Sequence, residues 1–292
     1  MQIPGEGRIK KLLSRKIGNI NKRAFTKYIL SEEFNSSLDI LCKKNKIDIE
    51  LVTFVNSESF SDLLFSIISF MKVVGVPSKW TLYADNHFSK EQLNILSSIA
   101  FVDISKWDER VPFKEKVQYG EKWQLRKFVA YANHPLKTTT IFLDSDIIFY
   151  PLFKTYLFTL KNINWYLPEP AEAFNIDADI EKLFDFTKNM YTVNAGFFVI
   201  NTTPDWGLGF KYLNICATKN EQNYFLDQSA LNLMFYHDKD AKVLDPRVFH
   251  ASANDHFWLS ALNSQGFAIR HYVGLIRHKM WQKGWKYLFI NK

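Results

Sequence analysis

The sequence predicts an α/β fold in which a mostly parallel sheet is flanked by helices. Two observations lead to this prediction. Short apolar runs with strand character alternate along the chain with segments whose apolar residues recur at helical spacing, which is typical of strands joined by helical crossovers. The chain is also 292 residues long and 47% hydrophobic, which is enough for one large α/β domain.

Composition argues against several classes of protein. Cys42 and Cys216 are the only cysteines, so neither a disulfide framework nor a multi-cysteine metal site is expected. No apolar run is long enough to span a bilayer, and the N-terminus lacks the compact apolar core of a signal peptide. We therefore expect a cytoplasmic protein.

Positive charge is concentrated at the N-terminus. Residues 1–28 contain eight Lys and Arg and one Glu, which accounts for the whole net charge of +7. The remaining body is neutral and gives no signature of nucleic-acid binding. Residues 1–30 form a basic amphipathic leader, suited to peripheral contact with the cytoplasmic face of a membrane; a solvated arm or a helix docked on the body fits equally well. Its apolar residues recur at helical spacing and are Ile9, Leu12, Leu13, Ile17 and Ile20.

The first half of the body alternates strands and helices. Strands are predicted where short β-branched and aromatic runs occur. Helices are predicted where apolar residues mark one face, or where a capping pattern such as Ser89 with Gln92 begins. Residues 105–120 are expected to form a charged loop. The predicted strands are 49–56, 80–85 and 101–104, and the helices between them are 60–71 and 89–98.

The central feature of the sequence is a buried strand over residues 138–143. The helical segment before it carries Arg126 and Lys127, and Asp144 and Asp146 follow at its C-terminal end. Ligands of open α/β sheets bind outside the carboxyl ends of strands, and two converging carboxylates repel unless a cation lies between them. The pattern favours a divalent metal that holds a phosphorylated ligand, with two solvated loop aspartates as the alternative.

The second half of the chain is less regular. Residues 165–170 are expected to form a loop over the site. Residues 191–201 form a second buried strand, in which Gly196 either lets the backbone approach a ligand or marks a β-bulge. His271 is a candidate metal ligand, although a lone histidine is more often a packed residue. Helices are predicted at 125–132, 179–186, 205–218 and 227–235, and a cationic run suited to a diphosphate follows at Arg277, His278 and Lys279.

Four motifs, taken in order, resemble the GT-A glycosyltransferases, in particular family 8 of the retaining enzymes, the glycogenin and lipopolysaccharide galactosyltransferase group. Each motif is weak alone, but their order and spacing are fairly specific and cover residues 48–281. The resemblance implies an α/β GT-A (Rossmann-like) fold with a mostly parallel sheet flanked by helices, in a single catalytic domain. The motifs are Leu143-Asp144-Ser145-Asp146, Asn194-Ala195-Gly196, Asp227-Gln228-x-x-Leu231-Asn232 and His271-Tyr272-x-Gly274.

The resemblance also implies an activity. The expected enzyme moves a hexose from a nucleotide-diphospho-sugar, usually UDP-linked, to a glycan or glycolipid acceptor, with retention of anomeric configuration. The expected cofactor is Mn²⁺ or Mg²⁺, held by Asp144, Asp146 and His271. Asp227 and Gln228 are expected beside the reacting carbon. The residues expected to bind the donor are Arg126, Lys127, Asn194, Ala195, Gly196, Arg277 and Lys279.

The sequence departs from the family pattern in two places, and three alternatives stay open. The basic position after His-x-x-Gly falls on Arg277, with Lys279 and Trp281 displaced, and the first strand ends in Val55-Asn56 where the family has Ala-Asp. The alternatives are an inverting transferase of the same fold, a nucleotidylyltransferase, and a non-catalytic nucleotide-sugar-binding module. A nucleotidylyltransferase would need a Gly-rich, basic phosphate loop after the first strand, and the run Asn56-Ser57-Glu58-Ser59 provides neither feature. Residues 282–292 form a basic aromatic tail.

Overall fold

The computed structural model describes residues 8–169, 178–186, 192–218, 225–251 and 266–281. The predicted tail at 282–292 lies outside the described residues, as do the ends of two predicted segments at Pro170 and Tyr191. The described strands are β1 (Lys46–Val55), β2 (Val76–Ala84), β3 (Val102–Lys106), β4 (Thr140–Leu143), β5 (Ile147–Phe149), β6 (Trp165–Glu169), β7 (Thr192–Ile200), β8 (Lys242–Val243), β9 (Phe249–Ala251) and β10 (Ile269–His271).

The helices lie before, between and after these strands. Short 3-10 helices are present at Ser57–Ser59 and Gly274–Ile276. The described α-helices are α1 (Arg8–Tyr28), α2 (Glu32–Cys42), α3 (Phe60–Val73), α4 (Lys90–Ser97), α5 (Phe113–Tyr119), α6 (Trp123–Ala132), α7 (Phe153–Tyr156), α8 (Ala178–Leu183), α9 (Trp206–Thr218), α10 (Leu226–His237) and α11 (Arg277–Lys279).

Seven of the described strands form one sheet in the order β3-β2-β1-β4-β7-β6-β8. Strands β3, β2, β1 and β4 are parallel to their neighbours, and helices connect them along the chain, as parallel pairing requires. Strand β7 is antiparallel to both of its neighbours, and β8 is parallel to β6. Among these seven strands β7 alone runs opposite to the rest, so the predicted mostly parallel sheet is confirmed.

The sheet is covered on both faces, which explains why its central strands are mostly apolar. In β4, Ile141 and Leu143 pack into a cluster with α3 and the second, smaller sheet, whereas Phe142 points to the other face. There it packs at a ring-centroid distance of 4.9 Å on Phe198 of β7, within a cluster that α6, α9 and α10 complete. The end of β4 that carries Asp144 is therefore fixed from both sides.

Two expectations for loops are wrong. Residues 165–169 form β6, which pairs with β7 and β8, instead of a loop over the site. The pairing register shifts between Tyr166 and Pro168, and this irregularity accommodates a proline within a sheet. The charged segment 105–120 contains the helix α5, which packs against α6. In both segments, tertiary packing decides the conformation.

The second sheet brings the late part of the chain to the acidic turn. Its strand order is β5-β10-β9, and β10 is antiparallel to β5 with His271 opposite Ile147. The Tyr272 N–H donates to the carbonyl oxygen of Asp146 at 3.0 Å. Because β5 begins directly after the acidic turn, this pairing places His271 beside Asp144 and Asp146.

The basic leader contains the helix α1, which docks on the body along one face. Phe25 and, just beyond the helix, Ile29 are buried in the core cluster that also contains α3. A second apolar stripe on α1 is exposed: Leu13, Ile17 and Ile20 are 54%, 44% and 55% accessible. None of the described helices combines the length and the apolar character that a membrane span requires.

Candidate active site

Two carboxylates occupy the turn between β4 and β5. The Asp144 N–H donates to the carbonyl oxygen of Gly196 at 2.9 Å, which continues the β4–β7 pairing by one residue. The Asp144 side chain is 25% exposed, whereas that of Asp146 is fully buried. The turn therefore presents one carboxylate to an open site and keeps the other beneath it.

His271 completes a group of three side chains. Its Nε2 atom lies 3.2 Å from Asp146 Oδ1 and 3.5 Å from Asp144 Oδ2. One potential ligand atom from each of the three residues lies within 4.8 Å of the others. Ligands about 2.1 Å from an octahedral cation are about 3 Å from their neighbours, so these separations are of the size that a small divalent cation requires.

Each carboxylate has one oxygen bound by a cation and the other turned toward His271. Lys127 Nζ donates to Asp144 Oδ1 at 2.6 Å, and the Arg277 guanidinium donates to Asp146 Oδ2 at 2.7 Å. Burial alone would raise the pKa of Asp146, but His271 and Arg277 hold it well below its usual range. Asp146 is therefore ionised at neutral pH, and one oxygen of each carboxylate stays available for a metal.

Asn194 fixes the orientation of His271. Its Oδ1 atom accepts the Gly196 N–H at 2.8 Å and lies 3.0 Å from His271 Nδ1. Its Nδ2 atom donates to the carboxylate of Glu169. Because Oδ1 is an acceptor, Nδ1 of the imidazole donates to it, so the neutral form of His271 has its lone pair on Nε2, which faces the two aspartates. This is the tautomer that a metal-binding histidine needs.

The residues present fit a divalent metal. Asp146 Oδ1 is buried, and within the described residues it accepts no hydrogen bond, which would be costly without a cation. Two carboxylate oxygens and one imidazole nitrogen are a ligand set that suits Mn²⁺ better than Ca²⁺. The arrangement can hold a cation while leaving the exposed side of Asp144 open to a ligand.

Asp227 and Gln228 lie in the first turn of α10, next to the same centre. Asp227 Oδ2 is 3.8 Å from Lys127 Nζ, and burial raises the pKa of Asp227 to about 6, although Lys127 opposes the rise. Burial would lower the pKa of Lys127, but Asp144 and Asp227 together keep it above its usual value. Gln228 Oε1 accepts a long, 3.4 Å hydrogen bond from the Ala195 N–H.

The other candidate donor-binding residues occupy different positions. Lys127 also donates to the Ala195 carbonyl oxygen at 2.9 Å, so Ala195 is held on both sides. Arg126 pairs instead with Asp85 at the end of β2, with Nε 3.0 Å from Oδ1, and lies over the Trp107 ring. Lys279 is buried in α11, two residues beyond Arg277.

Glu169 was not among the residues identified from the sequence. It ends β6 and receives the Asn194 amide, so it belongs to the support of His271. Burial raises the pKa of Glu169, and its hydrogen bond from Asn194 opposes the rise. The run Trp-Tyr-Leu-Pro-Glu has strand-forming residues ending in an acid, which is the same signal as at β4 and β2, but Pro168 within the run and Pro170 after it favoured a loop.

Solved structures share this architecture. The apo form of the glycosyltransferase GlyE from Streptococcus pneumoniae aligns with a TM-score of 0.53 at 15% identity, covering 83% of this chain and 62% of the GlyE chain. The chain has the fold of the GT-A glycosyltransferases. The fold class predicted from the sequence is thereby confirmed, and the acidic turn lies where a GT-A fold, as an open α/β sheet, binds ligands, at the carboxyl end of the parallel strands.

Two further structures align less closely. The apo form of WbbM, a bifunctional glycosyltransferase, has a TM-score of 0.49 at 17% identity, over 78% of this chain and 46% of that chain. The galactosyltransferase LgtC, in complex with donor and acceptor sugar analogues, has a TM-score of 0.49 at 12% identity, over 77% and 87%. No protein-family model matches the sequence, and no curated protein matches it.

Proposed function

We propose that this chain is a metal-dependent hexosyltransferase that uses a nucleotide-diphospho-sugar, with a UDP-sugar as the expected donor and a glycan or glycolipid as acceptor. The observation that carries the proposal is the convergence of Asp144 Oδ2, Asp146 Oδ1 and His271 Nε2 at the carboxyl end of β4 in a GT-A fold. Arg277 lies beside them and adds positive charge where a diphosphate would bind.

The ligand set defines what each residue would do. Mn²⁺ or Mg²⁺ would be held by Asp144, Asp146 and His271, and when bound would neutralise charge on the leaving diphosphate. Arg277 has five N–H donors and uses part of them on Asp146, so others can reach a phosphate oxygen. Lys279, in the same basic segment, stays a candidate for a second donor contact.

The residues beside the metal group would bind and activate the sugar. Lys127 contacts Asp144 and the Ala195 carbonyl oxygen, and Asn194 accepts the Gly196 N–H, so we assign these four residues beside the metal ligands to the donor-sugar pocket. Asn194 already binds Glu169 and His271, so its main contribution is to hold the histidine. Arg126, paired with Asp85, would lie on the nucleoside side.

The chemistry favours transfer on one face of the sugar. Gln228 carries no charge and is a poor nucleophile, so a covalent intermediate on it is disfavoured. In a front-face transfer, the bond between the anomeric carbon and the diphosphate oxygen breaks as the acceptor oxygen attacks from the same side. The proton of the acceptor passes to the departing phosphate oxygen. Asp227, ionised above about pH 6, would stabilise positive charge on the sugar ring.

The test is donor hydrolysis and transfer across UDP-, GDP- and CMP-sugars, with Mn²⁺ and with EDTA. The native chain is compared with Asp146→Asn, which keeps the size of the side chain, and with the surface control Asp240→Asn. Metal-dependent release of one nucleotide, lost in Asp146→Asn and kept in the control, would support the proposal. Product stereochemistry, read by NMR, separates retention from the inverting alternative.

The panel also separates catalysis from binding. If no donor turns over, calorimetric titration of UDP with Mn²⁺ distinguishes the remaining cases. Metal-dependent UDP binding without turnover would indicate a nucleotide-sugar-binding module or a strict need for acceptor, and adding candidate glycan acceptors resolves the two. Absence of nucleotide binding would contradict the proposal.

We also propose that α1 contacts an anionic membrane surface on the cytoplasmic side. Leu13, Ile17 and Ile20 form an exposed apolar stripe, and Lys16 and Lys27 are exposed beside it on the helix. The stripe is separate from the face that holds Phe25, so the helix can bind lipid while docked. The test compares co-sedimentation with anionic and zwitterionic vesicles for the native chain and a triple Leu13→Ser, Ile17→Ser, Ile20→Ser variant. Equal sedimentation of the two proteins would refute this contact.

A further inference from the structure

The segment that carries Arg277 is packed against the leader helix. Residues Gly274–Ile276 and α11 form a short helical stretch that continues to Trp281, and α11 lies along α1. A methyl group added at Gly18 of α1 would come within 2.5 Å of the His278 carbonyl oxygen, so the two backbones are in close contact. Asn21 Nδ2 donates to the Trp281 carbonyl oxygen at 3.3 Å.

Trp281 is the anchor of this segment. Its ring stacks on Phe65 of α3 at 5.4 Å and packs on Phe25 of α1 at 5.1 Å. Its indole N–H donates to Asp62 Oδ1 at 2.7 Å. The ring is almost completely buried between α1 and α3, so both its apolar surface and its one donor are satisfied by these two helices.

A buried carboxylate joins the leader to the anchor. Asp62 is 1% exposed, and its second oxygen accepts a hydrogen bond from Lys22 of α1 at 2.9 Å. Removing one partner from a buried carboxylate destabilises the fold, so Asp62 links Lys22 of α1 to Trp281. The Lys22 ammonium also lies 5.7 Å from the Trp281 ring centroid, which adds a cation–π contact.

The N-terminal end of the 277–281 segment reaches the group formed by Asp144, Asp146 and His271. Arg277 is four residues before Trp281 and donates to Asp146 Oδ2 at 2.7 Å. Its side chain is still 44% exposed, so its position depends on how its backbone is held rather than on enclosure of the guanidinium. The elements that hold that backbone are β10 on one side and α1 on the other.

We propose that α1 is a positioning element of the active site: Lys22, through Asp62 and Trp281, fixes the 277–281 segment so that Arg277 stays on Asp146 and faces the diphosphate. The diphosphate part of this inference rests on the proposed function. Lys22 and Asp62 are then positioning residues, acting through Arg277 rather than on the substrate. The same helix presents its apolar stripe outward, so the element that meets a membrane is also the one that supports the site.

The experiment uses the full chain and a matched pair of variants. Lys22→Met removes the contact with Asp62, whereas Lys27→Met removes the same charge from an exposed position of the same helix. Asn21→Ala, which removes the bond to the Trp281 carbonyl, is a second and milder variant. Hydrogen–deuterium exchange is measured on peptides covering residues 272–281. We expect faster exchange there for Lys22→Met and Asn21→Ala and native exchange for Lys27→Met.

A double-mutant cycle tests whether the effect passes through Arg277. UDP affinity in the presence of Mn²⁺ is measured for the native chain, Lys22→Met, Arg277→Met and the double variant. We expect Lys22→Met to weaken UDP binding about threefold to tenfold in the native background and to have almost no further effect once Arg277 is replaced. Additive losses would overturn the inference, as would native exchange at 272–281 in both Lys22→Met and Asn21→Ala.

Failure of the inference and failure of the proposed function are distinguishable. If the native chain binds no nucleotide, the proposed function fails, and the exchange data still decide whether α1 holds the Arg277 segment. Faster exchange throughout β1 and β4 in Lys22→Met would indicate general destabilisation, and Asn21→Ala then decides the question. Faster exchange confined to residues 272–281 supports the inference whether or not the chain binds a nucleotide.

Discussion

Replacing Gly196 with alanine should weaken metal binding at the proposed site of Asp144, Asp146 and His271, with only a modest loss of stability. The added Cβ would lie 2.5 Å from His271 Nδ1 and 2.8 Å from Asn194 Oδ1, and it would be still closer to the His271 Cε1 atom. Ordinary contacts between such atoms are about 3.5 Å, so the imidazole must retreat by about 1 Å. The movement breaks the Nδ1–H bond to Asn194 and turns Nε2 away from the aspartates.

The expected magnitude follows from two effects. Loss of the partner that orients a metal-bound histidine typically weakens metal binding by about 10- to 100-fold, or about 1.4 to 2.7 kcal/mol. Overpacking at a buried strand position costs about 1 to 3 kcal/mol of unfolding free energy. Gly196 has no positive φ, so backbone strain adds nothing to either figure.

The assay is calorimetric titration of the metal-stripped protein with Mn²⁺, together with denaturant unfolding. Gly266→Ala is the matched control, because a methyl group there has open space around it within the described residues. We expect the control to keep native Mn²⁺ affinity. A dissociation constant for Gly196→Ala within about twofold of the native value would refute the assignment of His271 as a metal ligand held by Asn194.

Three further predictions concern the neighbouring residues. Asn194→Ala removes the acceptor of the His271 Nδ1–H and should weaken Mn²⁺ binding about 10- to 100-fold by calorimetry. Asp227→Asn should leave stability unchanged at pH 3.5 and raise it progressively between pH 4 and 6. Above pH 6 the gain should reach up to about 3 kcal/mol by denaturant unfolding, because the native pKa of about 6 lies above the unfolded value of 3.8, so ionisation opposes folding. Lys127→Met should destabilise the fold by about 3 to 5 kcal/mol at pH 8, because it leaves buried carboxylates unpaired, and by less at pH 5, where Asp227 is protonated.

Strands with strong local signals were predictable, and those defined by distant partners were not. Strands β1, β4 and β7 are buried on both faces, so their apolar runs alone identify them. Strand β6 contains Pro168, and its conformation depends on pairing with β7, which follows about 25 positions later. The small sheet joins β5 to β10, more than 100 positions apart, and no local pattern of three residues could reveal it.

The residues of the site also differ in how far the sequence predicts them. Asp144, Asp146 and His271 were identified from spacing and resemblance, and the structure brings them together. Their supports were harder to foresee, because each is a contact between segments that are far apart in sequence. Trp281 and Asp62 are 219 positions apart, and nothing in the sequence around either residue predicts their contact. Motifs identify the atoms that meet a ligand, whereas the residues that hold those atoms emerge only from packing.

The charges of the site suggest an order of binding. Asp144, Asp146 and Asp227 lie near the cations Lys127 and Arg277, and the carboxylates raise the pKa of His271 against its burial. Without a metal, a protonated His271 would balance the third carboxylate, and these six side chains would carry no net charge to attract a diphosphate. Under the proposed function, a divalent cation that replaced the proton on His271 would leave one net positive charge and would favour binding of the donor. Lys127 and Arg277 keep the number of uncompensated negative charges low enough for the fold to tolerate.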